Sequence, residues 1–336
     1  MFNKLKHGKK LITYKSLLTF VLLFLIVCLV ISPEIYMNSI LNGIILWFRA
    51  VLPALFPFFF LTTMITELGG VQAIARVFQP ITRKIYNVGG LGAYVFVMSI
   101  ISGYPIGAKI TSELHAKGLL TSNECARLTT FTSTSGPLFI IGTVGFAMFG
   151  NKSAGLIIFI AHILGSLVNG LFYRKYKVDK SSQIISNEKS LSNIDNLLSH
   201  SISNSILSVL MVGGYIALFF MLTDILVNLG FLAFFGNILS AFLGIFGITS
   251  AYSFPIASGL VEMTRGCFEL SLIFTDIKFA GALATFIISF SGLSTIIQAM
   301  TFLSKCKVRF GFFVFQKFTH ALTSSLLAYL LFVIFL

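Results

Sequence analysis

The segment that decides the fold is residues 102–109, Ser-Gly-Tyr-Pro-Ile-Gly-Ala-Lys, because parts of it recur 156 positions later, from 102 to 258. The matched pairs are Ser102-Gly103 with Ser258-Gly259, Lys109 with Arg265, and Glu113 with Glu269. A second motif, Ser133-x-Ser135-Gly136, recurs at the same offset as Ser289-x-Ser291-Gly292. Two motifs that share one gapless offset indicate two copies of one unit, a pattern typical of membrane transporters built from structural repeats.

Composition indicates a membrane protein. Of the 336 residues, 56% are hydrophobic and only 10% are charged, and the mean hydropathy is +0.94. Such a chain has too little polar surface for a soluble globule. Several long uncharged runs approach the ~20 residues that a helix needs to cross a bilayer. The runs are 51–66, 91–108, 128–150, 153–173, 201–223, 225–261, 279–304 and 318–336. They lack the alternation of a membrane strand, so we predict an all-α polytopic membrane protein.

The net charge of +13 comes from basic residues that cluster beside the apolar runs. This placement follows the positive-inside rule, so we expect the lipid bilayer, and not nucleic acid, as the partner of these residues. The four cysteines have no CxxC or Cys/His spacing, and no HExxH, GxSxG or P-loop motif occurs. We therefore expect no metal, no cofactor and no enzymatic activity.

The positions of the charges also predict the topology. With the N-terminus inside, a helix at 17–31 leads out and one at 44–66 returns. If 91–108 then crossed the membrane, Lys109, Lys117 and Arg127 would lie outside, so a re-entrant hairpin is favoured there. A second hairpin is predicted around 258–269, entering from the opposite side. The two copies would then have inverted topology.

Four divisions follow from this topology. Residues 1–40 have a basic head and an apolar stretch without a small-x-small cleavage site, which predicts an uncleaved signal-anchor helix. Residues 41–174 form the first repeat and 205–336 the second. Residues 175–204 are rich in Ser and Asn and are interpreted as a flexible cytoplasmic linker.

The predicted hairpin turns contain residues that break helices. Residues 102–109 supply two glycines and a proline around Tyr104, which allow the backbone to approach a ligand. In the second copy, Pro255 stands just before Ser258-Gly259. Glu262 has no counterpart, since position 106 is Ile, and it makes the second hairpin more acidic.

A cation follows each turn and a carboxylate stands four residues further on. Lys109 precedes Glu113, and Arg265 precedes Glu269. At this spacing the pairs can form salt bridges within a helix, solvated at the membrane edge. Charged residues near the membrane are rare, however, and are usually either functional or paired. Both readings stay open: the cations hold an anionic ligand, or they only pair with the carboxylates.

The second motif predicts broken helices. Residues 133–137, Ser-Thr-Ser-Gly-Pro, interrupt an apolar span, so a half-helix should begin near Leu138 with its positive dipole end at the membrane centre. Ser289, Ser291 and Gly292 repeat this arrangement from the other side. Two opposed N-termini with hydroxyl groups would suit a carboxylate or a polar ring. The alternative is that small residues merely let the helices pack closely.

Three further polar residues lie within apolar runs. Gln298 follows the second break and could bind substrate or a neighbouring residue. His162 and His320 are interpreted as satisfied interhelical hydrogen bonds, in preference to functional groups. The candidate substrate-binding residues are therefore Ser102, Gly103, Tyr104, Lys109, Ser133, Ser135, Gly136, Ser258, Gly259, Glu262, Arg265, Ser289, Ser291, Gly292 and Gln298.

Three segments resemble a known family. Residues 102–109 (SGYPIGAK), 135–142 (SGPLFIIG) and 291–298 (SGLSTIIQ) are similar to sporulation integral membrane proteins of the YlbJ/SpoVV type, within the nucleoside-recognition, or Gate, domain group. The resemblance implies transport of dipicolinic acid across the outer forespore membrane of an endospore-forming bacterium. It also implies a fold similar to concentrative nucleoside transporters, whose hairpins and broken helices meet at the substrate. It supplies no site residues.

We therefore expect a secondary transporter of a small anionic aromatic compound. Dipicolinate, a planar ring with two carboxylates, is the first candidate, with Lys109 and Arg265 as its counter-charges. A transporter or channel for a nucleoside or another small solute stays open, and would need fewer cations and more amide or carboxylate groups. A non-transporting sporulation scaffold is the other alternative, although the predicted polar motifs lie inside the membrane.

Overall fold

The computed structural model describes residues 2–68, 70–178, 194–245 and 247–336, and all regular structure in these ranges is helical. The first half contains α1 Phe2–Ile31, α2 Pro33–Leu46, a π-helical turn Trp47–Val51, α3 Leu52–Glu67, α4 Gly70–Tyr86, α5 Leu91–Ser102, α6 Ile106–Ala116, α7 Ser122–Thr132, a π-helical segment Leu138–Met148, and α8 Lys152–Tyr173. The second half contains α9 Ile194–Asn228, α10 Phe231–Ile245, a 3-10 turn Ser250–Tyr252, α11 Ser253–Val261, α12 Met263–Ile273, α13 Ile277–Phe290, α14 Gly292–Leu303, a 3-10 turn Ser304–Cys306, and α15 Phe310–Phe335. The predicted all-α class is confirmed.

Four described helical stretches are long and apolar enough to cross a membrane, which supports the membrane assignment. They are Lys152–Tyr173, Leu197–Asn228, Ile277–Cys306 and Phe310–Phe335. Two bent pairs would raise the number to six: Ser16–Ile31 with Pro33–Arg49 at 105°, and Val77–Tyr86 with Leu91–Ser102 at 94°. The span predicted at 44–66 is part of one helical stretch that runs from Pro33 to Glu67 through the π-helical turn.

The order of helices in the first half recurs in the second. A pair of helices (α5–α6, then α11–α12) is followed by an interrupted helix (α7 with the π-helical segment, then α13 with α14). A long helix ends each series, α8 in the first and α15 in the second. This order agrees with the repeat seen in the sequence.

The connection between the halves is shorter than the sequence predicted. Helix α9 begins at Ile194, so residues 194–204 of the predicted linker are helical, while 179–193 lie outside the described residues. Ser201 and Ser205 are fully buried, and the Ser205 hydroxyl donates to the Ser201 carbonyl at 2.6 Å. The serines that suggested flexibility thus form a small-residue stripe at helical spacing, which lets α9 pack closely.

Helices α8, α13 and α15 pack against one another. A Cβ atom at Gly165 of α8 would lie only 2.8 Å from the Ser324 Cα of α15, so α8 and α15 make backbone contact. Polar side chains also join these two helices: the Thr319 hydroxyl donates to Asn169 Oδ1 at 2.7 Å, and lies 3.0 Å from the Tyr173 hydroxyl.

Candidate functional site

The first hairpin turn and the first helix break touch each other directly. Helix α5 ends at Ser102, and Gly103 takes a φ of +78°, which favours glycine. A Cβ atom at Gly136 would lie 3.3 Å from both the Ser102 carbonyl oxygen and the Gly103 nitrogen. The glycines of the two motifs therefore allow one backbone segment to approach the other.

The second turn lies at Glu262, so the sequence-based prediction of a turn at Ser258-Gly259 was wrong. Both residues lie inside α11, and Glu262 is extended, with its carboxylate accepting the Arg265 N–H at 2.7 Å as the N-cap of α12. Pro255 is tolerated because it lies in the first turn of α11, where an N–H has no helical partner to lose. A Cβ at Gly259 would lie 2.7 Å from Ile287, so this glycine serves close helix packing.

Both predicted helix breaks are confirmed. In the first copy α7 ends at Thr132 and the π-helical segment begins at Leu138. In the second copy the break is a single residue, Ser291, whose φ is +76°, and Gly292 follows with a φ of +66°. Each break thus exposes the start of a half-helix.

A cleft with about 840 Å³ of empty space, part of it open to solvent, lies where these elements meet. Seven of the predicted site residues line it: Ser102, Gly103, Tyr104, Ser135, Gly136, Glu262 and Gln298. Four more hydroxyl groups join them, from Thr143, Thr264, Ser294 and Thr295. The cleft therefore combines polar groups from both copies.

The rest of the cleft lining is apolar. It includes residues of α2, the π-helical turn, α3 and α9, among them Leu46, Val51, Leu55, Phe58 and Ile216. An apolar lining with a few oriented polar groups is typical of small-molecule sites.

The remaining residues of the two motifs lie behind the cleft. The Ser133 carbonyl accepts a hydrogen bond from Lys317, and the Ser289 hydroxyl contacts His162. Those that do not line the cleft are Ser133, Ser258, Gly259, Ser289, Ser291 and Gly292.

The two predicted cations do not line the central cleft. Lys109 lines a neighbouring cavity of about 280 Å³, where Nζ donates to the Ser208 hydroxyl at 2.9 Å and lies 4.0 Å from Glu113 Oε1. Gln298 lines both cavities.

Arg265 is held by two carboxylates. Its Nε lies 2.9 Å from Glu269 Oε1, which is the i,i+4 pair that the sequence offered. Its Nη1 lies 2.5 Å from Asp224 Oδ1 of α9, a partner 41 residues away that the sequence did not indicate. This geometry favours the salt-bridge reading for Arg265.

The structure adds a buried cation to the site. Lys317 of α15 is 0% exposed, and its Nζ donates to the Tyr104 hydroxyl at 2.6 Å and to the Ser133 carbonyl at 3.0 Å. It is missing from the sequence-predicted site, although a lysine inside an apolar helix is itself a functional signal.

His162 and His320 are both hydrogen-bonded, as predicted. The Ser135 N–H donates to His162 Nε2 at 2.9 Å, and His320 Nε2 lies 3.1 Å from the His162 carbonyl oxygen. Their rings are 4.8 Å apart at the centre of the α8–α15 contact. The histidines thus connect the long helices to the first break.

Comparisons with known proteins agree with the motifs. No family model and no solved structure matches this chain. The chain is 29% identical over 333 residues to the "Sporulation integral membrane protein YlbJ" of Bacillus subtilis (strain 168), covering 92% of this chain and 80% of that protein. This similarity over nearly the whole chain confirms the resemblance to YlbJ-type sporulation integral membrane proteins.

Proposed function

We propose that this chain is a membrane transporter of a small anionic aromatic compound, with dipicolinate as the first candidate, in the outer forespore membrane. The similarity to a sporulation integral membrane protein supports the setting. We also propose that the two copies are inverted in the membrane, as the charge placement predicts. The recurring helix order is in keeping with this proposal.

The cleft is the observation that carries the proposal. The first hairpin turn, the first break, the second turn and helix α14 all contribute to its lining. A solute bound there would touch elements of both copies. Movement of one copy against the other could then open the cleft to either side, the usual logic of repeat-built carriers.

The cleft offers a dianion two kinds of partner. The π-helical segment begins at Leu138, which lines the cleft and leaves backbone N–H groups without intrahelical acceptors, and the hydroxyls of Ser294 and Thr295 lie in the first turn of α14. The aromatic ring would rest on the apolar wall at Leu55 and Phe58. In this proposal the half-helix ends take the role that the sequence assigned to Lys109 and Arg265.

One observation favours a neutral solute such as a nucleoside as the second candidate. Among the described residues that line the cleft, none is Lys or Arg, whereas Glu262 and Gln298 offer a carboxylate and an amide. A nucleoside could donate to both groups, while a dianion would be repelled by Glu262. The carboxylate therefore distinguishes the two substrates.

The test is uptake by proteoliposomes that contain only the purified protein, with dipicolinate and nucleosides compared. Glu262→Gln keeps an oxygen that can cap α12 but removes the charge. For dipicolinate we expect the variant to lower the apparent KM. For a nucleoside bound by the carboxylate it should raise KM about tenfold, because a charged hydrogen bond contributes roughly 1.5–3 kcal/mol. Absence of uptake for every compound, from folded protein under any gradient, would contradict the transport proposal.

A further inference from the structure

Helix α15 carries an ionisable residue where a membrane helix rarely has one. Lys317 is the one Lys, Arg, Asp or Glu among the residues of α15, Phe310–Phe335, and its side chain is fully buried. Ionisable residues at such positions are unfavourable unless they are paired, and they often mark proton or substrate pathways.

Lys317 joins the two parts of the first copy that line the cleft. Its side-chain nitrogen, Nζ, donates to the Tyr104 hydroxyl at 2.6 Å and to the Ser133 carbonyl at 3.0 Å, and lies 4.6 Å from the centre of the Tyr104 ring. Tyr104 belongs to the hairpin turn and lines the cleft, while Ser133 begins the helix break. The Tyr104 side chain therefore lies between Lys317 and the space that a solute would occupy.

No acidic side chain forms an ion pair with Lys317 in the described part of the chain. The ion pairs found there belong to Lys109 and Arg265. Glu262 lines the same cleft from the second hairpin, but its carboxylate accepts the Arg265 N–H. A buried ammonium group without a counter-ion is strongly unfavourable, so protonation of the Lys317 amine calls for a negative charge nearby, which an anion in the cleft would supply.

The groups that face Lys317 are basic or neutral. Helix α8 contributes His162, and α15 itself contributes His320. The hairpin turn contributes the Tyr104 phenol, the end of α7 contributes the Ser133 carbonyl, and α13 contributes the Ser289 hydroxyl beside His162. Three basic side chains share a region with no described acid to balance them, so their protonation depends on what occupies the cleft.

We propose that Lys317 is the proton-coupling residue of the transport cycle. It takes up a proton from the aqueous side as the anion enters the cleft, and releases it when the anion leaves on the other side. Proton and anion therefore move together as a symport. The inference rests on the proposed function and adds the proton gradient as the energy source for transport.

The experiment measures accumulation and exchange of dipicolinate separately in proteoliposomes of the full chain. The membrane potential is clamped at zero with potassium and valinomycin, and the exterior is one pH unit more acidic than the interior. If one proton moves with each anion, wild type should concentrate dipicolinate up to about tenfold, since one pH unit is a tenfold ratio of protons. Exchange is followed as counterflow without a pH gradient.

Two substitutions test the residue itself. Lys317→Met cannot bind the proton and Lys317→Arg cannot release it, since a guanidinium stays charged. We expect both to exchange dipicolinate yet to show an accumulation ratio near one. Lys152→Met, which changes an exposed lysine at the start of α8, should accumulate dipicolinate like wild type.

Each outcome decides the proposal. Wild type that exchanges dipicolinate but ignores the pH gradient would overturn it, as would normal accumulation by Lys317→Arg. If Lys317→Met does not fold, Lys317→Arg and the wild-type gradient experiment decide without it. Absence of exchange in wild type is a different result, because it counts against transport itself.

Discussion

The imidazole of His162 lies 2.7 Å from the Ser289 hydroxyl oxygen. Its other ring nitrogen, Nε2, accepts the Ser135 N–H at 2.9 Å, so the neutral ring carries its proton on Nδ1 and donates it to Ser289. Ser135 belongs to the first helix break, and Ser289 lies in the last turn of α13 before the second. A side chain of α8 thus joins the breaks of both copies.

We predict that His162→Ala and Ser289→Ala are coupled in stability. Each substitution leaves a buried polar group unpaired, which costs about 1–3 kcal/mol. The double variant should lose less stability than the sum of the two single ones, by about 0.5–3 kcal/mol. Thermal or denaturant unfolding in detergent measures this, with Ser271→Ala as a surface control. Additive losses would show that the contact contributes little.

The glycines at the breaks should tolerate alanine to different degrees. At Gly292 a Cβ would lie 3.0 Å from the Gly259 carbonyl, and its φ of +66° adds roughly 1–2 kcal/mol of strain for any other residue. At Gly136 the nearest backbone atoms are at 3.3 Å, and at Gly142 the nearest atom is a Leu138 methyl at 3.6 Å. We expect dipicolinate uptake to fall most for Gly292→Ala, less for Gly136→Ala and least for Gly142→Ala. Equal uptake by the three inserted variants would contradict this order.

The sequence correctly predicted helix ends that depend on the residues at the break itself. The helices end at Gly103 and at residues 133–137 as predicted, and the repeat marked Ser291-Gly292 as the second break. The predicted turn at Ser258-Gly259 was wrong because glycine and proline also occur inside helices, where glycine allows close packing and proline is tolerated in the first turn. Gly259 permits close packing, and the extended backbone of Glu262 makes the turn.

The sequence could not predict contacts between residues that are far apart in the chain. Arg265 with Asp224 and Lys317 with Tyr104 meet only when distant helices pack together. The i,i+4 spacing suggested Glu269 as the partner of Arg265, but no spacing rule could have supplied Asp224. For Lys317 the signal was present, as a charge inside an apolar helix, while its partner was not.

We predict that Arg265→Gln acts on stability and not on substrate affinity. The guanidinium separates two carboxylates, those of Asp224 and Glu269, and its removal leaves both without their cation. The side chains are about one-fifth exposed, so we expect a loss near 1–3 kcal/mol instead of the larger loss of a fully buried pair. Asp224→Asn should lower the melting temperature similarly, while Arg309→Gln, an exposed control, should not. A raised KM with an unchanged melting temperature would instead assign Arg265 to the substrate.

The proposed inverted arrangement predicts that the ends of the two hairpins lie on opposite sides of the membrane. Lys117 follows α6 and Thr275 follows α12, and both are exposed. In a Cys28→Ser background, where the other three native cysteines are buried, Lys117→Cys and Thr275→Cys give single accessible thiols. With the protein produced in the cell membrane of a non-sporulating host, an impermeant maleimide should label position 275 in intact cells and position 117 only after lysis, because the proposed inversion places the equivalent ends on opposite faces. Thr275 is preferred to Asp276, whose carboxylate caps α13 through the Lys278 N–H. Labelling of both positions from one side would rule out the inverted arrangement.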